Sequence, residues 1–411
     1  MSERDSYSMP RTFLLGFGFL GVSIIWAMYN AYVPVFLKDS FGLPSTVIGL
    51  IMTIDNVFAI LLLPFLGALS DRTRTRLGRR RPYILGGSLF AAVFFVLVPF
   101  ANDARALGLM MGTIVLMNLS MAFFRSPVIA LMPDITPSKF RSQANGVINF
   151  MGGLGALLVY FGGKPLYAKS VGLPFFVGGC AMFAASLLVV LLIREPDPGP
   201  VETSKHGVLR DSFRELTGNL RDVFRGEKSL LGILCAILCW FVGYNALETF
   251  FTSYAKFHLG IQESTAAMVL GFFSVAFMVS AIAAGYIGAR WGRRPTIRAG
   301  LVIVTVVMIS ALFVKSFTLL SVAFVIGGIG WGLVNVNSLP MVVDMTTAAK
   351  VGGYTGLYYF FSQAANIIAP PAAGALIDGF GYPSLMVFSA ALFVAATLVI
   401  GLVRRGEAAK G

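Results

Sequence analysis

Charged side chains are scarce in this chain. Asp, Glu, Lys and Arg make up 12% of its 411 residues, about half the ~25% typical of soluble domains, which excludes an ordinary water-soluble core. The two histidines, His206 and His258, fall in expected loops, so no histidine proton relay runs through the apolar segments. All three cysteines, Cys180, Cys235 and Cys239, fall inside apolar runs and supply no disulfide framework. Cys235 and Cys239 share a helix face and read as packing residues rather than metal ligands. No GxxxxGK[ST] loop occurs, since Gly163-Lys164 is followed by Pro165; ATP hydrolysis by this chain is not expected. HExxH, CxxC and GxSxG are missing too, so no metal site, cofactor or enzyme chemistry is expected. Asn118-Leu-Ser120 matches a glycosylation sequon but lies in an apolar run.

What the chain has instead is apolar length. Apolar residues make up 57% and the mean hydropathy is +0.80. A helix needs about 20 apolar residues to cross the hydrocarbon of a bilayer. Twelve runs qualify: 12–36, 46–69, 83–101, 109–132, 144–162, 174–193, 229–254, 266–288, 299–314, 318–341, 353–374 and 384–403. With both termini cytoplasmic, 25 of the 32 Lys and Arg fall in cytoplasmic segments and six in external loops. That is the positive-inside pattern, and it removes nucleic acid as the reason for the net charge of +13. The polar start, Met1–Arg11, lacks a cleavable signal, so the first span is expected to serve as an uncleaved insertion signal.

The two halves repeat. Trp26, Tyr29, Asn30 and Ala31 of span 1 match Trp240, Tyr244, Asn245 and Ala246 of span 7. Phe41-Gly-Leu43 matches Leu259-Gly-Ile261; Asp134 and Asp344 each open a cytoplasmic loop, and Gly146 and Gly356 follow at equal distances. Ser70–Pro82, with six arginines and one aspartate, has a weaker copy at Gly285–Pro295. The expected fold is an all-α membrane protein of twelve transmembrane helices in two pseudo-symmetric six-helix bundles, residues 1–193 and 229–411. This is the plan of major-facilitator-type carriers, with a substrate site near the midplane between the halves. The linker, 194–228, begins Pro- and Gly-rich. Leu209, Phe213, Leu216, Leu220 and Phe224 then recur at helical spacing among arginines, predicting an amphipathic helix on the inner membrane surface.

Polar residues inside spans mark helices that face a cavity. Spans 3, 6, 9 and 12 contain no Asn, Gln or charged residue and are expected to face lipid. Glycines in spans 5 and 10 suit close packing or hinges, and Pro370-Pro371 should distort span 11. Only three charged residues lie within spans: Asp55, Arg125 and Glu248. Each costs about 2.5–3.5 kcal/mol at a helix centre on insertion scales. Either Asp55 and Arg125 form a fixed salt bridge, or Asp55 is a proton-coupling acid governed by Arg125 and cavity hydration. Glu248 is a second coupling candidate or a structural acid near the outer mouth. Around them stand Trp26, Tyr29, Asn30, Asn56, Asn118, Asn149, Trp240, Tyr244, Asn245, Trp331, Asn335, Tyr358, Tyr359 and Gln363. Neutral amides, hydroxyls and aromatic faces suit an uncharged polyhydroxylated ligand such as a sugar. A monocarboxylate bound by Arg125 is the open alternative.

Gly67-Ala-Leu-Ser-Asp-Arg-Thr-Arg-Thr-Arg-Leu-Gly-Arg-Arg-Arg-Pro-Tyr-Ile84 resembles the sucrose-transporter and glycoside-pentoside-hexuronide:cation symporter group of the major facilitator superfamily. The stretched spacing from Asp71 to Gly78 carries that likeness, with support from Pro127–Asp134. The resemblance implies inward movement of a mono- or disaccharide or glucoside with protons. It also implies a cytoplasmic gate formed by Asp71, Arg72, Gly78, Arg79, Arg80 and Arg81. They would work against the other half's helix ends, including the segment Asp134–Arg141; a topology signal alone is the plainer role. Ala289 stands where the second loop would match Asp71, so the gate should be asymmetric. Plant sucrose carriers have an arginine where this chain has Ile129, and melibiose-type relatives pair two span-2 carboxylates where Asp55 stands alone, which favours H⁺ over Na⁺. The expected partners are a small-molecule substrate, H⁺ and the bilayer of the cell membrane, with no nucleic acid and no obligate protein partner. The rival readings are a proton-driven efflux antiporter for amphipathic compounds and a transporter-derived sensor or scaffold; the short loops speak against the latter.

Overall fold

A computed structural model describes residues 8–137, 140–195, 228–345, 351–403 and 405–406 of the chain. Among them the regular structure is thirteen α-helices and no strand. In lipid every backbone N–H and C=O must be satisfied within the protein, and a helix does so within one segment. The helices are α1 (Met9–Asp39), α2 (Ser45–Met52), α3 (Ile54–Arg72), α4 (Arg81–Asp103), α5 (Leu107–Ile135), α6 (Arg141–Tyr167) and α7 (Gly172–Leu192). After them come α8 (Lys228–Leu259), α9 (Glu263–Trp291), α10 (Arg293–Ala311), α11 (Phe317–Val343), α12 (Val351–Phe380) and α13 (Ser384–Leu402). Among the described residues twelve segments are long and apolar enough to cross a membrane, with α2 and the first half of α3 forming one of them, Ser45–Leu63. The amphipathic helix expected around Leu209–Phe224, and His206, lie outside the described residues. His258, expected in a loop, instead closes the last turn of α8.

Span 2 was expected to run unbroken. It is interrupted at Thr53, whose N–H donates to the Leu50 carbonyl at 3.2 Å and whose hydroxyl donates to the same oxygen at 2.7 Å. A three-residue closure doubled by a side-chain bond tightens the turn and ends the α-helical ladder. Pro370 and Pro371, by contrast, do not end α12, which continues through both.

Packing divides the chain into two units: Met1–Gly42 with Ile54–Thr203, and Leu43–Thr53 with Ser204–Gly411. In the first, α1 packs on α6 and α7, α4 on α5 and α7, and α3 on α5. In the second, α8 packs on α12 and α13, α10 on α11 and α13, and α9 on α11, so the same neighbours recur in the repeat. Small residues permit the close approaches. A Cβ on Gly87 would lie 2.7 Å from the Phe124 amide nitrogen, and one on Gly300 2.5 Å from the Gly330 carbonyl. Glycines of spans 5 and 10 pack likewise: a Cβ on Gly155 or Gly328 would collide with the carbonyl of Leu20 or Phe273. Large apolar side chains are exposed along the expected lipid-facing helices, among them Phe90 and Phe100, Leu191 and Leu192, Val302 and Val306, and Leu398 and Leu402.

Candidate functional site

In the first unit the polar side chains of three helices converge. Because the chain restarts as a helix just after Thr53, Asp55 falls in the first turn of α3, where free N–H groups and the helix dipole favour a carboxylate. The Asn56 side-chain amide donates to Asp55 Oδ1 at 2.8 Å. The Asp55 carboxylate acts through space on the Arg125 guanidinium of α5 and the Tyr29 hydroxyl of α1. Tyr29 is buried and accepts from Asn118 Nδ2 at 3.5 Å, while Trp26 meets its ring edge-on at 5.7 Å. Six expected residues, Trp26, Tyr29, Asp55, Asn56, Asn118 and Arg125, thus form one neighbourhood. Asn30 is half-buried on α1 and Asn149 is exposed on α6.

The second unit holds an aromatic and amide set. Tyr244 stacks on Trp331 with centroids 4.3 Å apart and planes 7° from parallel, and Phe241 meets Trp331 edge-on at 5.7 Å. Asn245 Nδ2 donates to Asn366 Oδ1, and Asn366 Nδ2 donates to Gln363 Oε1 at 2.8 Å. The Tyr358 and Ser338 hydroxyls share a hydrogen bond of 3.0 Å, with Tyr359 edge-on to Tyr358 at 5.4 Å and itself exposed. Trp240 is fully buried, and its indole N–H has no hydrogen-bond partner; nor has that of Trp26, its counterpart in the repeat. Asn335 and Glu248 are half-buried. Phe241, Ser338 and Asn366 complete this set, and helical spacing from the chosen residues is the signal that points to them.

The basic loop forms a network inside the first unit: Asp134 and Arg141, expected among the other half's helix ends, belong to the same unit as the loop, because α5 packs directly on α4. Arg80 is buried; its Nε donates to Asp134 Oδ2, its Nη2 to Asp71 Oδ1 at 2.8 Å and its Nη1 to Ser70 Oγ at 3.1 Å. Arg79 adds a 2.8 Å pair with Asp134 and a longer one with Asp71. Arg141 donates to the Pro133 carbonyl at 3.4 Å, and Arg72 is exposed at the end of α3. Glu195, which sequence reasoning missed, binds the loop from the far side. Its carboxylate accepts from the backbone N–H of Arg79, Arg80 and Arg81 at 2.8 to 3.1 Å, capping α4. Gly78 makes this possible: its φ is +115°, and a Cβ there would sit 2.7 Å from Glu195 Oε1. The second unit keeps the reduced form, with Gly292 at φ +99° and Arg293 paired with Asp344.

A second missed residue, Asp378, caps α2. That helix begins after Pro44 with no side-chain cap of its own. Asp378 accepts from the Ser45 N–H at 2.7 Å, the Thr46 N–H at 2.8 Å and the Thr46 hydroxyl at 2.7 Å. A Cβ on Gly49 would collide with the Pro370 carbonyl, and one on Gly374 with the Ser45 carbonyl, so α2 and α12 touch backbone to backbone. The signal in the sequence is a helix start whose orphan N–H groups demand an acceptor. Between α12 and α13, burial, reinforced by the Asp378 carboxylate, pushes the Tyr382 phenol up to about 12.

Comparison with known proteins bears on the fold. The model of the Major Facilitator Superfamily matches residues 15–266 and 250–411. An uncharacterised symporter of Synechocystis sp. is 34% identical over 29% of this chain and 24% of its own length. The isoprimeverose transporter of Lactiplantibacillus pentosus is 26% identical over 47% of this chain and 38% of its own. The chain thus spans about a quarter to two-fifths of these relatives. The quinolone resistance protein NorA of Staphylococcus aureus is 22% identical over 88% of this chain and 87% of its own. Among solved structures, the nucleoside transporter NupG superposes with a TM-score of 0.76 at 10% identity, covering 96% of this chain and 100% of that one.

Proposed function

The chain belongs to the Major Facilitator Superfamily, and from that membership we propose that it is a proton-coupled sugar symporter working by alternating access. The observation that carries the reading is the Asp55 neighbourhood. One carboxylate stands in the first turn of a helix that starts within a membrane span. Its own neighbour Asn56 holds it by a hydrogen bond, and Arg125 lies within its electrostatic reach. Protonation of Asp55 would release the field it exerts on Arg125 and Tyr29, and so change the hydrogen-bonding groups offered to a substrate. In the second unit, the Asn245–Asn366–Gln363 chain supplies donors and acceptors, and the Tyr244–Trp331 stack supplies an apolar face. That combination fits the hydroxyls and C–H faces of a sugar. A proton moving down the membrane potential contributes about 2.3 kcal/mol for each ~100 mV. In this reading Glu248 is a secondary coupling group, and the Asp71–Arg80–Asp134 network closes the cytoplasmic side of a cell-membrane protein with both termini inside.

Similarity to a symporter and to an isoprimeverose transporter supports the sugar reading. The long, if distant, match to NorA favours one second reading, proton-driven efflux of amphipathic compounds. Labelled sugars offered to proteoliposomes under an inward proton gradient separate the two. The symport reading expects at least one sugar to accumulate; extrusion of a dye, with every sugar excluded, would replace it with efflux. Asp55→Asn is expected to abolish gradient-driven accumulation and to spare counterflow exchange. Accumulation that survived would reduce Asp55 to a structural charge.

A further inference from the structure

Beside the basic loop lies a cavity of about 620 Å³, lined by Arg74, Arg76, Arg79, Arg81, Arg194 and Glu195 among others. We propose that it binds a phosphate group at the membrane surface, either the headgroup of an acidic phospholipid or free phosphate.

Charge and hydrogen bonding both point there. Five arginines face one glutamate, and that glutamate is already engaged by the backbone N–H groups of residues 79–81. The Nε atoms of Arg79 and Arg81 are buried and have no hydrogen-bond partner. A buried guanidinium N–H left unpaired is costly, and a phosphate oxygen is the acceptor that arginine geometry suits best. The volume falls in the ~300–1,000 Å³ range of small-ligand clefts. Position adds to this: the cavity sits where α3 ends and α4 begins, at the edge of two apolar spans, where lipid headgroups lie. The stretched spacing between Asp71 and Gly78 acquires a physical use, because its extra residues, Thr73–Leu77, form one wall. The second basic loop is shorter, and Arg293 and Arg294 there are bound to Asp344 and to the Gly401 carbonyl.

The test uses the purified full-length protein in neutral detergent. One arm counts bound phosphatidylglycerol against phosphatidylcholine by native mass spectrometry. The other follows melting temperature in inorganic phosphate against chloride at matched ionic strength. The pocket variants are Arg76→Gln, an exposed position, and Arg76→Gln with Arg81→Gln. The charge-matched control is Arg290→Gln with Arg298→Gln, exposed positions on α9 and α10 that flank the turn of the second loop. Selective phosphatidylglycerol binding that weakens about tenfold in the double pocket variant, the loss of about one charge-assisted hydrogen bond, with the control unchanged, identifies a lipid headgroup. Stabilisation by phosphate that the pocket variants lose, without lipid preference, identifies free phosphate. Equal weakening in the pocket and control variants, or no preference in either arm, overturns the proposal and leaves the arginines as a topology signal.

Discussion

Asp378 offers the most direct test of how α2 is held. Its carboxylate accepts two backbone N–H groups and one hydroxyl, all within 2.8 Å, at a helix start with no cap of its own. Asp378→Ala leaves those N–H groups without the acceptor. Loss of an N-cap costs about 0.5–2 kcal/mol, and a charged acceptor places the value toward the top of that range. Asp378 is itself exposed, which moderates it, so ~1.5 kcal/mol is reasonable for Ala. Asn keeps one acceptor oxygen and turns an amide group toward the remaining donor, for about half that loss. At ~1.4 kcal/mol per decade, undocking of α2 from α12 should become about tenfold more frequent in Asp378→Ala and about threefold in Asp378→Asn. The assay is maleimide labelling of Ile48→Cys, a position buried on α2, after replacement of Cys180, Cys235 and Cys239. Labelling at equilibrium opening should accelerate by those factors in that order. Unchanged rates in both variants would refute the idea that this cap holds α2, and would leave the backbone contacts of Gly49 and Gly374 as the whole attachment.

Four further outcomes are expected. Asp71→Asn keeps every arginine and therefore every topology signal; a correctly inserted variant with slowed transport would support gating, and unchanged transport would return the loop to an orientation role. Glu195→Ala orphans the N–H groups of residues 79–81 and should lower unfolding stability by about 1–3 kcal/mol; Gly78→Ala, strained by its φ of +115° and by contact with Glu195, should lose a similar ~1–3 kcal/mol, read by thermal denaturation in detergent. For Tyr382, whose phenol is held up to about 12, the neutral form is the favoured one. Its stabilising contribution is present below the unfolded value of ~10 and is lost as pH rises through about 12. In an ultraviolet phenolate titration, Tyr382→Phe should remove one late-ionising tyrosine; removal of one that titrates near ~10 would contradict the packing around it.

The twelve spans and the duplication were legible in the sequence for a simple reason. Hydrocarbon thickness imposes a length on every apolar run, and a repeat preserves its landmarks, so Gly78 and Gly292 or Asp134 and Asp344 reveal themselves by position alone. The scarcity of charge did similar work for the site, because Asp55 and Arg125 stand out when almost nothing else inside the spans is ionisable.

Tertiary structure decided the partners. The break at Thr53, with no glycine or proline to announce it, moved Asp55 from mid-helix to a helix start and sent α2 to pack with the second unit. Asp378 and Thr46 stand 332 positions apart in the chain, Glu195 and Arg81 114, and Asn245 and Asn366 121. Apolar periodicity reports which face of a helix is buried, but carries no record of what another helix will bring to it. Caps, ion-pair networks and ring stacks depend on that second surface, so only the folded chain assigns them.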